Sequence, residues 1–541
     1  MNTKKISVKA ALWLLSITSG VLMSIPWLVP GTGLVALFGL VPLLVAEYIA
    51  QGAGTKHFWI WHYSCFVIWN ALTTFWVCNA TVGGGIFAVL ANALQMSLVF
   101  GLFRLSRKRL SGVIPYILLA SAWIAWERWY LVSAQISWPW LVLGNAFATN
   151  VRDVQWYSVT GTLGGSLWVW CSNLAIFGTL VAVVSGKWKE WTSAARVSAL
   201  TALVLLLIGL PVTSAIMYNS YEERSEGTVE VLIGQPNLDP YKKFTSMTQA
   251  SQNNLFLGLL EPELEKAPAD LVLAPETFTS DVIINDIPSS PSWQLYRSFL
   301  EKYPGTDLLF GAATNELFTT RSAPDLLSYP WGSGWRKPHN SALMLDASGR
   351  TEVFHKSKLV VGTELTPYPK IFVPLDNWLS KKLGVYSLMA RDSGQDEITL
   401  LHLDDGTPLG CAICYESVYG EYCTGYTRRG AGFLTVITND SWWGNTPGYR
   451  QHCSYSSLRA IELRRDIARC GNSGISCFIN QRGDILSRTP WWEEATLRGT
   501  VNINTRETFF SRNGDIVGRM STLVFLLLLA LLLVSLLLRK K

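Results

Sequence analysis

Eight apolar runs, roughly residues 8 to 29, 34 to 50, 57 to 78, 82 to 103, 113 to 133, 160 to 184, 197 to 217 and 521 to 538, constrain this chain more than any motif in it. Each is near the ~20 residues that cross a bilayer as a helix, the local structure that satisfies its own backbone N–H and C=O groups in lipid. Composition agrees. The 541 residues are 49% hydrophobic and only 16% charged, with a mean hydropathy of +0.23, too apolar for a single soluble domain of that length. The first run follows Lys4, Lys5 and Lys9 as a signal peptide would. No small-x-small cleavage site follows it and more spans come at once, so it reads as an uncleaved first helix.

Lys and Arg in short loops are retained on the cytoplasmic side, which sets the orientation. Lys4, Lys5 and Lys9 place the N-terminus inside. Eight crossings then put Lys56, the Arg104 to Arg109 cluster, Lys187 and Lys189, and the tail Arg539, Lys540 and Lys541 on that same side. The predicted organisation is a seven-helix membrane domain over 1–217, an exported domain over 218–520, and a C-terminal helix with a basic tail over 521–541. The net charge of +6 is largely topogenic. No basic stripe or nucleic-acid motif accompanies it, so no nucleic-acid partner is expected.

Within 218–520 the pattern changes to short β-rich runs, "TVEVLIGQPN" (228–237), "DLVLAPETF" (270–278), "DLLFGAAT" (307–314) and "GFLTVITND" (432–440). These alternate with stretches of helical period at 246–265 and 449–470, and hairpins are expected to turn at Ser348–Gly349 and at Gly483–Asp484. The exported part is therefore predicted to be a layered α/β domain. It has no internal repeat and no Gly-rich phosphate loop of the Walker or dinucleotide type.

The stretch "GCAICYESVYG" (410–420) places Cys411 and Cys414 in a C-x-x-C frame. A redox pair usually opens a helix, whereas "LGCAIC" reads as the end of a buried strand, where an offset of three points the two side chains to opposite faces. Zinc has no second C-x-x-C to complete a site, and His339, His355, His402 and His452 show no ligand spacing. A buried structural cysteine is the rival to a nucleophile at Cys414. The strand-to-helix junction favours the nucleophile, since backbone N–H groups and the helix dipole there are expected to support a thiolate. Glu276 closes the apolar strand "LVLAPE" and Lys356 follows the second strand of the first hairpin. Each has a dull reading alone. Together the three offer a thiol nucleophile, a carboxylate base and a cation for a developing oxyanion, a working set for acyl transfer.

In their order along the chain, "APETF", "HKSKLV" and "CYE" resemble the Glu-Lys-Cys pattern of the nitrilase superfamily of carbon–nitrogen hydrolases. "GQPNLD", "NSALML", "TNDSWWG", "QHCSYSSLRAIELRRDIARCGNSGIS", the membrane stretch "WERWYLVSAQISWPWLVLGN" and the eight-span layout are similar to the apolipoprotein N-acyltransferase family. The resemblance implies a polytopic membrane domain with an exported nitrilase-like αββα sandwich. It implies Glu276 as general base, Lys356 as the oxyanion-stabilising cation and Cys414 as nucleophile, with Glu364, Tyr415 and Glu416 in support. It also implies a phospholipid acyl donor, a diacylated apolipoprotein acceptor, no cofactor or metal, and a bacterial inner membrane with the catalytic domain on the periplasmic side and both termini cytoplasmic. Two departures stand out. "VGTE" (361–364) replaces the family's Pro-Phe-Gly-Glu turn, and Phe244 stands where the family commonly has tryptophan. A membrane-tethered amidase and a non-catalytic scaffold are the alternatives.

Two further expectations concern the surroundings. Residues 371–389, apolar with Lys381 and Lys382, suggest a mobile lid at the membrane interface or an ordinary core segment. Glu127 and Arg128, near the outer end of the fifth span, are expected to pair with each other and reach the interface, with substrate contact as the alternative.

Overall fold

The computed structural model describes residues 7–538, without the side chains of Lys242 and Phe244. The readings of Lys4, Lys5, the 539–541 tail and the Phe244 ring fall outside the described residues. Each of the eight apolar runs is helical. Seven precede the first strand: α1 (Val8–Leu28), α2 (Gly33–Gly52), α3 (Trp59–Thr74), α4 (Val82–Arg107), α5 (Ile114–Val132), α6 (Thr162–Val184) and α7 (Ser193–Ser220). Among the described residues six helices are long and apolar enough to cross a membrane: α1, α2, α4, α6, α7 and the C-terminal Ile516–Leu538. The other two fall short for visible reasons. At 16 residues α3 is too short, and α5 carries Glu127 and Arg128 among many aromatic side chains.

Thirteen strands in the described residues form two sheets. The first contains β1 (Thr228–Gln235), β2 (Leu271–Leu273), β3 (Asp307–Phe318), β4 (Tyr329–Trp331), β5 (Gly334–Leu345), β6 (Thr351–His355) and β13 (Ala495–Asn502), in the order β13-β1-β2-β3-β5-β4 with β6 paired to β5. The second contains β7 (Leu401–His402), β8 (Pro408–Ile413), β9 (Phe433–Thr438), β10 (Ile467–Gly471), β11 (Cys477–Ile479) and β12 (Ile485–Arg488), ordered β12-β11-β10-β9-β8-β7. Both expected hairpins form, β5–β6 and β11–β12. The inner faces meet in one core of Val231, Leu271, Leu309, Ile413, Ile437 and Cys470. The outer face of the first sheet packs on α8 (Gln249–Lys266) and α9 (Pro291–Leu300), through Phe256, Leu260 and Tyr296. That of the second packs on α11 (Gly420–Arg428) and α12 (Pro447–Leu463), through Tyr426, Cys453 and Leu463. An α10 (Pro369–Leu383) lies between the sheets in sequence, and α13 (Ile516–Leu538) ends the described chain. The layering is helix, sheet, sheet, helix, a nitrilase-like sandwich joined to a helical membrane part.

One boundary departs from the sequence reading. Helical period was expected through Cys470, but α12 stops at Leu463, Arg464 turns at φ +51°, and β10 follows. Residues 467–471 are wholly buried between β9 and β11, and sheet pairing on both sides overrides a pattern that is apolar at either period. The α12 helix also docks the two parts together. The Gln451 Oε1 accepts from Trp140 Nε1 at 2.7 Å and Trp76 Nε1 at 3.3 Å, and its Nε2 donates to Trp27 O at 3.0 Å and Thr73 O at 3.2 Å. Farther along, Glu462 accepts from Thr162 N at 2.8 Å, at the start of α6.

Candidate active site

Glu276, Lys356 and Cys414 each leave the end of a strand, β2, β6 and β8, and the sandwich brings those ends together. The turn after β2 is tight: a side chain at Gly311 would sit 2.5 Å from Pro275 O and 2.6 Å from Glu276 Cα. Only glycine lets β3 pass that close. Lys356 is 1% exposed and lies between two carboxylates, its Nζ 2.9 Å from Glu276 Oε1 and 2.8 Å from Glu364 Oε1. Asn340 Nδ2, from β5, donates to the same two oxygens at 2.8 Å each. Asn439 N completes the set by donating to Glu276 Oε2 at 3.1 Å. The altered turn still delivers Glu364: Gly362 takes φ +85°, and Val360 N donates to Glu364 Oε2 at 2.7 Å.

Burial alone would push the Glu276 carboxyl up. The Lys356 charge, with hydrogen bonds from Lys356, Asn340 and the Cys414 thiol, outweighs it and holds the group below the ordinary range. Lys356 is driven well above its ordinary value: burial disfavours its charge, but Glu276, Glu364 and Cys414 more than restore it. At Cys414 the outcome differs from the expected thiolate. Burial and the Glu276 carboxylate push the thiol well above its ordinary value, against which Lys356 and a hydrogen bond from Thr438 are insufficient. The helix that Cys414 opens is a single 3-10 turn, Cys414–Val418, too short to supply much dipole. The resting nucleophile candidate is a neutral thiol beside an ionised carboxylate.

Tyr415 and Glu416 have distinct surroundings. Glu416 is a backbone clamp, with Oε1 accepting from Ser357 N at 2.6 Å and Oε2 from Ile413 N at 2.8 Å, so one side chain ties the residue after Lys356 to the residue before Cys414. Burial lifts its carboxyl to about 7 despite those N–H donors. The Tyr415 ring lies over Trp138 at 6.1 Å between centroids, and its hydroxyl donates to Ser137 O at 3.4 Å. The loop between α5 and α6 therefore forms one wall beside the site. Cys411 is a free, buried neighbour on β8.

Sequence reasoning missed a second group. The His452 Nδ1 lies 2.8 Å from Asp440 Oδ1, and Arg469 Nη2 donates to Asp440 Oδ2 at 2.9 Å. Burial would raise the Asp440 carboxyl, but His452 and Arg469 bring it down to about 2. The ligand atoms of Cys414, Asp440 and His452 lie within 4.8 Å of one another, a spacing that could hold a metal. Asp440 is already engaged by His452, Arg469 and Thr438 Oγ1, so its charge is balanced from within the protein. The only signal lay in "TNDSWWG" and "QHCSYSS", which place Asp440 and His452 twelve residues apart on separate elements. The expected Glu127–Arg128 pair does not form: Glu127 instead accepts from Leu143 N at 2.8 Å and Trp123 Nε1 at 3.0 Å.

The layered fold defines the class. Residues 181–509 match the family described as carbon-nitrogen hydrolase, and the chain belongs to that family. Residues 19–175 match the apolipoprotein N-acyltransferase N-terminal domain, so both halves of the resemblance read from the sequence are borne out. The chain is similar to the apolipoprotein N-acyltransferase of Chlorobaculum tepidum, at 28% identity over 488 residues that cover 89% of this chain and 88% of the relative. It is also similar to that of Geobacter metallireducens, at 26% identity over 525 residues that cover 93% and 92%. Among solved structures, Saccharomyces cerevisiae Nit3, a member of branch 10 of the nitrilase superfamily, aligns over 55% of this chain and 97% of its own, at 16% identity and a TM-score of 0.36.

Proposed function

We propose that this chain is a membrane N-acyltransferase that moves an acyl chain from a phospholipid, through a thioester on Cys414, to the free α-amine of the S-diacylglyceryl cysteine that begins an apolipoprotein. Similarity to two named apolipoprotein N-acyltransferases across nearly their whole length supports the acceptor. The observation that carries the chemistry is Lys356 held between Glu276 and Glu364 beside Cys414. The Cys414 Sγ attacks the ester carbonyl as its proton passes to Glu276. Lys356, with backbone N–H groups, holds the oxyanion that forms. The C–O bond then breaks, and the proton leaves with the lysophospholipid hydroxyl. In the second half the lipoprotein amine attacks the thioester carbonyl, Glu276 takes the amine proton, and the thiol is restored as the amide forms.

Both substrates are lipids, which accounts for a sandwich docked onto apolar helices. On this reading residues 1–217 form the membrane domain, 218–520 the periplasmic catalytic domain and 521–541 the closing helix and tail, with both termini in the cytoplasm of a bacterial inner membrane. The α10 helix would serve as the interfacial arm. Its inner side is pinned by Asp376, which accepts from Arg391 Nη2 at 2.9 Å. Ile371, Leu375, Trp378 and Leu383 are exposed, Trp378 to 53%, and Lys382 lies 3.9 Å over the Trp378 ring. An exposed apolar face next to lysines fits a membrane interface and not a core segment.

Intact-mass spectrometry tests the proposal. Wild type and Cys414→Ser are incubated with phospholipid, then with a diacylated lipopeptide bearing a free N-terminus. A hydroxylamine-labile acyl adduct on Cys414 that discharges onto the peptide amine is expected. An adduct lost only to water would make the chain a hydrolase, and no adduct on a folded protein would return the scaffold.

A further inference from the structure

Cys414 takes φ +51°, in the left-handed region that is strained for a non-glycine residue and persists only where the surroundings over-determine it. Its carbonyl is the point at which it is held. Ser417 Oγ donates to it at 2.7 Å, and His452 Nε2 lies 3.1 Å from it. The opposite ring nitrogen of His452 meets Asp440, which Arg469 and Thr438 fix in turn, and Asp440, His452 and Arg469 are wholly buried. The imidazole is also boxed by the Trp140 and Trp443 rings, at 5.6 and 5.5 Å between centroids. Nδ1 also lies 3.1 Å from Arg469 Nη2, and Nε2 lies 3.2 Å from Ser417 Oγ. An imidazole bearing N–H on both nitrogens donates to the Asp440 carboxylate and the Cys414 carbonyl together, which fixes its orientation. That carbonyl belongs to the peptide unit joining Cys414 to Tyr415. A donor on its oxygen therefore both pins the strained backbone and polarises the unit's N–H, one of the backbone donors nearest the thiol.

We infer that Asp440 and His452 are positioning residues for Cys414, acting through its carbonyl to hold the thiol in reach of Glu276 and Lys356. The inference rests on Cys414 being the nucleophile, and it extends the functional set from three residues to five. Neither residue is a proton acceptor for the thiol in this assignment, because the contact is to the backbone oxygen and not to Sγ.

The test compares two amides at position 452 in the full-length, detergent-solubilised protein. His452→Gln can place an N–H where Nε2 stood, whereas the amide of His452→Asn stops short of the Cys414 carbonyl. Iodoacetamide alkylation of Cys414, mapped by mass spectrometry at fixed pH and then across pH, is read beside the thermal midpoint of each variant. His452→Gln is expected to alkylate within about threefold of wild type and His452→Asn to be slower by about tenfold or more, with its pH profile displaced, because the thiol leaves its place beside Glu276 and Lys356. Equal rates in the two folded variants would overturn the inference, as would a slowing that tracks the thermal midpoint alone. Should His452→Asn not fold, Ser417→Ala removes the other donor on the same carbonyl, with the same expectation and the same refutation. Alkylation needs no acyl donor, so the dyad is judged even if wild type forms no acyl-enzyme, a result that would count against the acyltransferase reading alone.

Discussion

Replacing Lys356 by methionine keeps the aliphatic stem and removes the charge held between Glu276 and Glu364. Both Oε1 atoms accept from Asn340 Nδ2 at 2.8 Å, so they are no farther apart than twice that distance, about 5.6 Å. At an effective dielectric of ~20, two like charges at that separation repel by about 3 kcal/mol, or about two pH units for the pair. The sign follows directly. In wild type the depressed Glu276 carboxyl contributes stability that is present above the ordinary carboxylate value, near 4.5, and is lost as pH falls through its lower folded value. In Lys356→Met the pair is raised instead, so the folded state is penalised increasingly as pH rises from about 4.5 to about 6.5. The gap between wild type and variant is already open at pH 4.5, where the wild-type ion pair is intact, and should widen by about 3 kcal/mol across that window and level off above it. Thermal midpoints in detergent at half-unit pH steps measure it. A gap that stays constant from pH 4.5 to 8 would refute the shared-cation reasoning, since only loss of packing would then be at work.

Three other outcomes follow from the same structure. Alkylation of wild-type Cys414 should climb through pH 9 with no plateau near neutrality, because burial and Glu276 hold the thiol up; a neutral plateau would reveal a resting thiolate. Gln451→Leu leaves Trp140 Nε1 without its acceptor and takes the side-chain donor from Trp27 O, while Trp76 Nε1 keeps Thr73 O at 2.9 Å, and should cost about 2 kcal/mol or more in thermal or denaturant unfolding; a change under 1 kcal/mol would mean the docking rests on apolar packing. Trp378→Ser should raise KM for lipid presented in vesicles while leaving kcat within about threefold; an unchanged KM would remove α10 from the membrane interface.

What the sequence made legible was whatever one segment decides locally. The apolar runs specify helices without help from neighbours, and "APETF", "HKSKLV" and "CYE" mark strand ends that carry reactive side chains. What it hid depends on partners far apart in the chain. The end of α12 at Leu463 is set by β9 and β11 on either side of β10, and no window of 449–470 contains that information. Glu127 looked paired with Arg128 because they are adjacent, yet its partner is a backbone N–H sixteen residues on, at Leu143. His452 carried no ligand spacing because its neighbours arrive from the turns after β8 and β9. The thiolate expectation failed on magnitude: one 3-10 turn cannot offset burial beside a carboxylate.

That failed expectation bears on mechanism. A thiol held well above its ordinary value next to a carboxylate held below its own is a poor pair for proton transfer in the resting state, which keeps Cys414 from acting as a free thiolate toward water-borne electrophiles. On the proposed mechanism the mismatch closes only when a carbonyl enters. As Sγ attacked, negative charge would move onto the carbonyl oxygen while Glu276 gained the proton, so the net charge around Lys356 would not change. It would be redistributed from one of its partners to the oxyanion. Lys356 is then already paid for in desolvation by Glu276 and Glu364 before substrate arrives, and the second carboxylate keeps it in place when Glu276 becomes neutral. Glu364 is on this view the residue that lets the base change charge without releasing the cation. Glu364→Gln should therefore slow acyl-enzyme formation by about ten- to a hundredfold while leaving iodoacetamide alkylation of Cys414 near wild type, because alkylation of the thiol builds no oxyanion. Equal losses in both reactions would mean that Glu364 only holds the loop, and the division of labour between the two carboxylates would be wrong.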